Sequence, residues 1–207
     1  MCRPPLDLSL YLVTDTAMCG QFGVAATVSA AVGAGVTVVQ LCDEGATDVP
    51  LIVNDRVHLV AAIGAHGAHV GQADLGIGQA RALLGPTAYL GLSAQTVDHV
   101  AAARQHGDGT LDYLGVGPVW ATTSKLNAAA PGGLDRLRQV APASPWPCVA
   151  IGGINLERLT QVRRTGVAGA AVVSAICGQP DVAAATRALR AAWDGAAMRD
   201  VLDGASI

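Results

Sequence analysis

Eight short segments rich in Val, Leu and Ile recur along this 207-residue chain, and a helix-like stretch follows almost every one. Residues 8–15, 36–41, 50–55, 68–71, 88–93, 112–117, 148–154 and 170–176 read as strands, short and rich in aliphatic and β-branched residues. Helices are expected over residues 23–32, 57–63, 77–84, 97–105 and 134–140. Two more are expected, one from an Asn155 cap to Arg164 and one from Asp181, where Val182, Ala185, Leu189 and Trp193 share a stripe. Strict βα alternation implies a parallel sheet, and eight units imply closure into an α/β (β/α)₈ TIM barrel. An open doubly wound sheet would carry a G-x-G-x-x-G turn after the first strand, and none is present. Residues 1–207 are expected to form a single barrel domain, with a frayed tail after about residue 195.

One unit is irregular. Only residues 44–49 separate Asp43 from Pro50, whereas a parallel crossover takes a dozen or more residues, usually a helix. Such a short link reaches at most about 20 Å when fully extended. The helix between strands 2 and 3 is therefore missing or truncated. Either the barrel wall is open there or part of the crossover is absent from the sequence.

Composition narrows the function. With 51% apolar and 3% aromatic residues, the core must be aliphatic, as buried parallel strands require. A net charge of −3 with no basic block argues against a nucleic-acid surface or a polybasic membrane patch. Any anion must be held locally. The cysteines (Cys2, Cys19, Cys42, Cys148, Cys177) are scattered without a C-x-x-C pair, which fits free thiols in a reducing, cytoplasmic setting. Residues 16–42 carry no charge, but they are dominated by Ala, Gly, Ser and Thr and broken by Gly33-Ala34-Gly35, so they read as barrel rather than membrane span. Asp7 and Asp15 interrupt any leader-like apolar run. A homo-oligomer is left open.

In a TIM barrel, chemistry sits where the strands end. Those ends here carry Gln40, Asn54, Asp55, Gln72, Asp74, Ser93, Gln95, residues 120–125, Gly152-Gly153 and Val173-Ser174. Asp55 and Asp74 leave neighbouring strands. Two such carboxylates suit Mg²⁺, which otherwise keeps water or phosphate oxygens; they equally suit a helix cap and a turn. Gly152-Gly153 and Val173-Ser174 close strands seven and eight, the usual phosphate site of this fold, or they simply turn the chain. Thr122, Thr123, Ser124 and Lys125 offer hydroxyls and one cation, fitting a phosphate or a solvated loop. His58, His66, His69, His99 and His106 lack metal-ligand spacing, and His69 reads as a packed strand residue.

Tyr11-Leu12-Val13-Thr14-Asp15, residues 35–41, Ile52-Val53-Asn54-Asp55-Arg56, Gly71-Gln72-Ala73-Asp74, Gly91-Leu92-Ser93, residues 115–119, Ile151-Gly152-Gly153-Ile154 and Val173-Ser174-Ala175-Ile176 together resemble the thiamine phosphate synthase family, from roughly residue 8 to residue 190. The resemblance implies a transferase of thiamine biosynthesis. It would join 4-amino-2-methyl-5-hydroxymethylpyrimidine diphosphate to 4-methyl-5-(2-phosphoethyl)thiazole, giving thiamine phosphate and pyrophosphate. It implies that Asp55 and Asp74 bind Mg²⁺, and that Gln40, Asn54, Ser93 and Lys125 contact the pyrimidine diphosphate, Lys125 and Ser93 acting catalytically. Thr122, Thr123, Ser124, Gly153, Val173 and Ser174 would hold the thiazole phosphate. A close relative, the thiazole tautomerase, is less favoured, because the Asp pair and Lys125 are retained and Gln95 offers no acid–base group.

The chain departs from the family pattern after Gln40-Leu41. There the family carries an arginine, one residue, then a lysine, where this chain has Cys42 and Glu44. In the loop after strand six, Ser124 replaces a threonine and Leu126-Asn127 a common Pro-Asp pair. Loss of two diphosphate-binding cations gives the alternative reading: a degenerate barrel, non-catalytic or weakly active, that binds a phosphorylated thiazole-like ligand.

Overall fold

The computed structural model describes residues 3–41, 49–107, 109–122, 124 and 129–204, with 196–204 described by their backbone. Its strands are β1 (Leu10–Val13), β2 (Val38–Leu41), β3 (Leu51–Asn54), β4 (Gly67–Val70), β5 (Tyr89–Ala94), β6 (Tyr113–Val116), β7 (Cys148–Ile151) and β8 (Gly169–Val172). All pair in parallel and close in chain order, β8 returning to β1 through Tyr11↔Ala171. The helices are α1 (Thr16–Cys19), α2 (Gly23–Gly33), α3 (Ile77–Leu84), α4 (Val97–Arg104), α5 (Gly133–Ala143), α6 (Leu156–Arg163) and α7 (Val182–Gly204).

The short β2–β3 connection does not open the wall. Val39 pairs with Leu51, Gln40 with Ile52 and Leu41 with Val53. Cys42 and Glu44 lie outside the described residues.

Strand alternation builds two cores. Outward residues such as Leu10, Leu12, Val39, Val53, Leu90, Leu92, Leu114, Val116, Ala150 and Val172 pack in the layer beneath the helices. Inward residues Tyr11, Val38, Ile52, Tyr113, Val149 and Ala171 form a second cluster inside the barrel. Every strand is thus covered on both faces, as parallel sheets require. Towards the carboxyl ends the inward positions turn polar, with Gln40, Asn54, His69 and Ser93.

Several boundaries differ from the sequence reading, each for a local reason. Strand 7 stops at Ile151 because Gly152 (φ 101) and Gly153 (φ 64) turn left-handed. Strand 8 stops at Val172, where Ile176 and Cys177 N–H groups donate back to the Val173 carbonyl. The helix expected over residues 57–63 is only a 3₁₀ turn, Val57–Leu59, followed by turns. Val57, Val60 and Ile63 are poor helix formers, and Gly64 (φ 68) ends the segment. The Asn155 cap is present, its side chain accepting from Arg158 N, and α7 continues to Gly204.

Residues 16–33 have the length and mean hydropathy, 1.2, to cross a membrane. In the fold they are α1, a 3₁₀ turn (Gly20–Phe22) and α2, bent at Gly20 and Gly23, both with positive φ, and Thr27, Val28 and Ala31 are buried. Cys19, Cys148 and Cys177 are free buried thiols. Cys19 and Cys177 sulfurs lie 3.6 Å apart, and burial, with Cys19 beside it, pushes the Cys177 thiol up to about 12.

Asp112, just before β6, ties the barrel floor. Its Oδ1 accepts from Arg3 Nε at 2.6 Å, and its Oδ2 from Arg81 Nη2 at 3.1 Å and Leu90 N at 2.8 Å. Asp112→Ala leaves two guanidinium groups and a strand N–H without this acceptor, and should lower the unfolding free energy by about 3 kcal/mol. Urea unfolding followed by circular dichroism measures this. An unchanged midpoint would show that the cluster contributes nothing.

Candidate active site

The polar residues on the inner wall form one continuous hydrogen-bonded strip. Asn54 Nδ2 donates to Asp55 Oδ2 at 2.7 Å. Gln40 Nε2 donates to Asn54 Oδ1 at 2.6 Å. Tyr11 Oη donates to Gln40 Oε1 at 2.8 Å and lies 2.8 Å from Tyr113 Oη. Tyr113 Oη lies 3.1 Å from His69 Nδ1, and His69 Nε2 lies 2.9 Å from Ser93 Oγ. Gln72 Nε2 donates to the Ser93 carbonyl at 2.6 Å. Gln40, Asn54, Asp55 and Ser93, drawn from β2, β3 and β5, are thereby joined.

Three members of the strip escaped the sequence reading. His69 is buried, as a packed residue should be, but its ring carries the link between Ser93 and Tyr113. Tyr11 and Tyr113 are fully buried at 2% and 1% exposure. Burial raises both phenols above their ordinary range, Tyr113 adding to the rise at Tyr11, so both stay protonated. The available signal was glycine at inward positions. A side chain at Gly91 would collide with the Tyr113 ring and come within 2.6 Å of His69 Nδ1, and one at Gly115 would meet His69 Cε1 at 3.0 Å. Those glycines leave room for the two rings.

Ser93 and His69 resemble a nucleophile and its base, a pairing the sequence did not reveal. The third group is a phenol, not a carboxylate. A neutral hydroxyl gives an imidazolium little support, so the arrangement orients Ser93 rather than activating it.

Asp55 and Asp74 leave the same end of adjacent strands. Asp55 N donates to the His69 carbonyl of β4 at 2.8 Å, and Asp74 Oδ2 accepts from Gly71 N at 2.7 Å. Both residues are exposed at the mouth. Asp55 also holds φ 61, the one non-glycine positive φ among the described residues, a conformation that Asp and Asn tolerate better than other residues. No group of three or more His, Cys, Asp or Glu residues is assembled among the described residues. A carboxylate pair alone suits a hard cation that fills its shell with water or phosphate oxygens.

On the far side of the mouth, Gly153 lies against the β6 loop. A side chain there would approach Trp120 Cβ at 2.8 Å and the Ala121 carbonyl at 2.9 Å. Among the described residues, the Gly153 and Ser174 N–H groups donate to no protein acceptor. Thr122 Oγ1 accepts from Ser124 N at 3.2 Å, and Ser124 Oγ meets Met18 Sδ at 3.7 Å. Val173 is half-buried beside Ser174. Arg158 was missed by the sequence reading: its Nη1 donates to the Gly153 carbonyl at 2.6 Å, and its guanidinium sits 4.8 Å over the Trp120 ring. The segment after β8 is a turn rather than a helix, so Val173-Ser174 offers loop amides and not a helix end. Thr123 and Lys125 lie outside the described residues.

The chain and its fold match known proteins. A family model described as thiamine monophosphate synthase matches residues 40–176. The thiamine-phosphate synthase of a Psychrobacter species is 46% identical over 191 positions, covering 84% of this chain and 90% of that protein. That of Azorhizobium caulinodans is 41% identical over 204 positions, covering 90% and 95%. In structure, the thiamine phosphate pyrophosphorylase of Pyrococcus furiosus superposes with a TM-score of 0.79 at 30% identity, over 92% of this chain and 97% of that one. The first alignment spans 191 positions yet takes in 84% of this chain, about 174 residues, so about 17 positions of the relative have no counterpart here. That shortfall has the size of the helix and turn that a full β2–β3 crossover contains. With the family model covering well over half of its length, and relatives above 40% identity matching it nearly end to end, this chain belongs to the thiamine monophosphate synthase family.

Proposed function

We propose that the barrel mouth joins 4-amino-2-methyl-5-hydroxymethylpyrimidine diphosphate to 4-methyl-5-(2-phosphoethyl)thiazole, forming thiamine phosphate and pyrophosphate. What carries this reading is the hydrogen-bonded strip from Asp55 to Ser93 across the mouth from the Gly153 and Ser174 amides, which have no acceptor among the described residues, on a chain of this family.

The bond between the pyrimidine methylene carbon and the diphosphate oxygen breaks, and the diphosphate keeps the electron pair. The thiazole nitrogen lone pair then forms the new carbon–nitrogen bond, with no net proton transfer. No enzyme nucleophile is required, consistent with the weakly supported Ser93–His69 pair. Gln40, Asn54 and Ser93 orient the pyrimidine. Gly153 and Ser174 amides hold the thiazole phosphate together with Thr122, Ser124 and Val173, and the family resemblance adds Thr123 to the same role. That brings the two reactants together at one mouth, where orientation alone supplies much of the rate. Lys125 completes the diphosphate site as a point charge. Asp55 and Asp74 would hold Mg²⁺, which when bound offsets negative charge on the departing diphosphate.

One observation favours a second reading. Cys42 and Glu44 stand where the family has two cations, so the barrel would bind the thiazole phosphate without coupling it. Mixing both substrates with Mg²⁺ and measuring thiamine phosphate by chromatography separates the two. The proposal expects product that disappears when the metal is chelated. Folded protein that yields none, but binds the thiazole phosphate in a calorimetric titration, supports the second reading.

A further inference from the structure

The interior strip has a direction, and Asp55 sets it. An ionised carboxylate can only accept, so Asn54 must turn its amide nitrogen to Asp55 and its oxygen to Gln40. Gln40 then gives its nitrogen to Asn54 and leaves its oxygen for Tyr11. The single Tyr11 proton is thereby committed, so across the 2.8 Å contact Tyr113 is the donor. With its own proton committed, Tyr113 can only accept across the 3.1 Å contact, and His69 must carry its proton on Nδ1. His69 Nε2 is then a bare lone pair, and at 2.9 Å it takes the Ser93 hydroxyl proton. With Asp55 ionised and His69 neutral, each link has one admissible polarity. The other ordering would require a protonated Asp55.

We propose that Tyr11, Tyr113 and His69 are positioning residues: they fix His69 as the Nδ1–H tautomer and leave Ser93 only lone pairs to offer the substrate. Ser93 therefore meets a hydrogen-bond donor and not a phosphate oxygen. Resting on the function proposed above, this assigns Ser93 to the exocyclic amino group, the strong donor of the aminopyrimidine. The Gly91 and Gly115 positions that admit the two rings serve the same end. The tautomer of a histidine follows the partner of its other nitrogen, and here that partner is a phenol whose proton is already used.

The test is the ¹⁵N–¹H correlation spectrum of the histidine-labelled, ligand-free protein. His69 should show protonated Nδ1 and bare Nε2, opposite to the form a free side chain prefers. Tyr113→Phe removes the acceptor for Nδ1–H, so His69 should revert to Nε2–H. Ser93 then accepts from His69 and turns its proton outward, and kcat/KM for the pyrimidine diphosphate should fall about tenfold, with KM for the thiazole phosphate unchanged. Wild-type His69 found as Nε2–H overturns the proposal, as does an Nδ1–H tautomer that survives Tyr113→Phe. The wild-type spectrum decides even if the variant does not fold. An Nδ1–H tautomer in a protein without coupling activity removes the proposed function but not the relay. Normal coupling with an Nε2–H tautomer removes the relay alone.

Discussion

Asp55→Asn is expected to lower the coupling rate by about 100-fold or more, since it removes one of the two carboxylates that would hold the divalent ion offsetting the departing diphosphate's charge, and losing such stabilisation has effects of that order. The fold should be unaffected. Asn accepts the left-handed backbone that Asp55 holds at φ 61, and its side-chain oxygen can still accept from Asn54 Nδ2. Asp55→Val should lose the same activity and also destabilise the protein by about 1–3 kcal/mol, because a β-branched residue is strained at that φ. Comparing kcat and melting temperature of the two variants separates charge from strain. Unchanged kcat in Asp55→Asn would show that no metal or charge function resides there.

Gly169→Ala should be the most damaging single substitution in the barrel wall. β8 and β1 meet at this position, and a methyl group on Gly169 would run into the Leu8 carbonyl oxygen and carbon. The obstacle is backbone, held in place by the β1–β8 register Leu10↔Ala170, so no rotamer change relieves it. A loss of about 3 kcal/mol or more is expected, a large share of the roughly 5–15 kcal/mol by which domains are stable. The prediction is checked by soluble yield and urea unfolding. A midpoint equal to that of the parent would mean that β1 moves aside freely.

Much of this was legible before any coordinates. Short aliphatic and β-branched segments alternating with helix-like ones pointed to eight strands in βα order, and the position of residues at strand ends pointed to Gln40, Asn54, Asp55 and Ser93. What stayed hidden has physical causes. Periodicity places His69 inside a strand but cannot show that Ser93 and Tyr113 lie on either side of its ring, because those partners come from β5 and β6 through barrel closure. Tyr11 and Tyr113 lie within expected strands, where nothing local shows that each buried hydroxyl finds its partner across the barrel interior. Arg158 sits on α6, and only the close approach of the β6 and β7 loops brings it over Trp120. The short β2–β3 link was visible from its length, whereas closure of the wall across it depends on the pairing of Val39 with Leu51.

The proposed function requires two anionic molecules to share one mouth, with a divalent ion at Asp55 and Asp74 and a phosphate on the amides of Gly153 and Ser174. A crystal grown with Mn²⁺, pyrophosphate and the thiazole phosphate tests it, with anomalous scattering locating the metal. An anomalous peak bridging Asp55, Asp74 and pyrophosphate, with the thiazole phosphate on those two amides, is the expected result. Manganese bound elsewhere, or a thiazole phosphate that avoids Gly153 and Ser174, would contradict it.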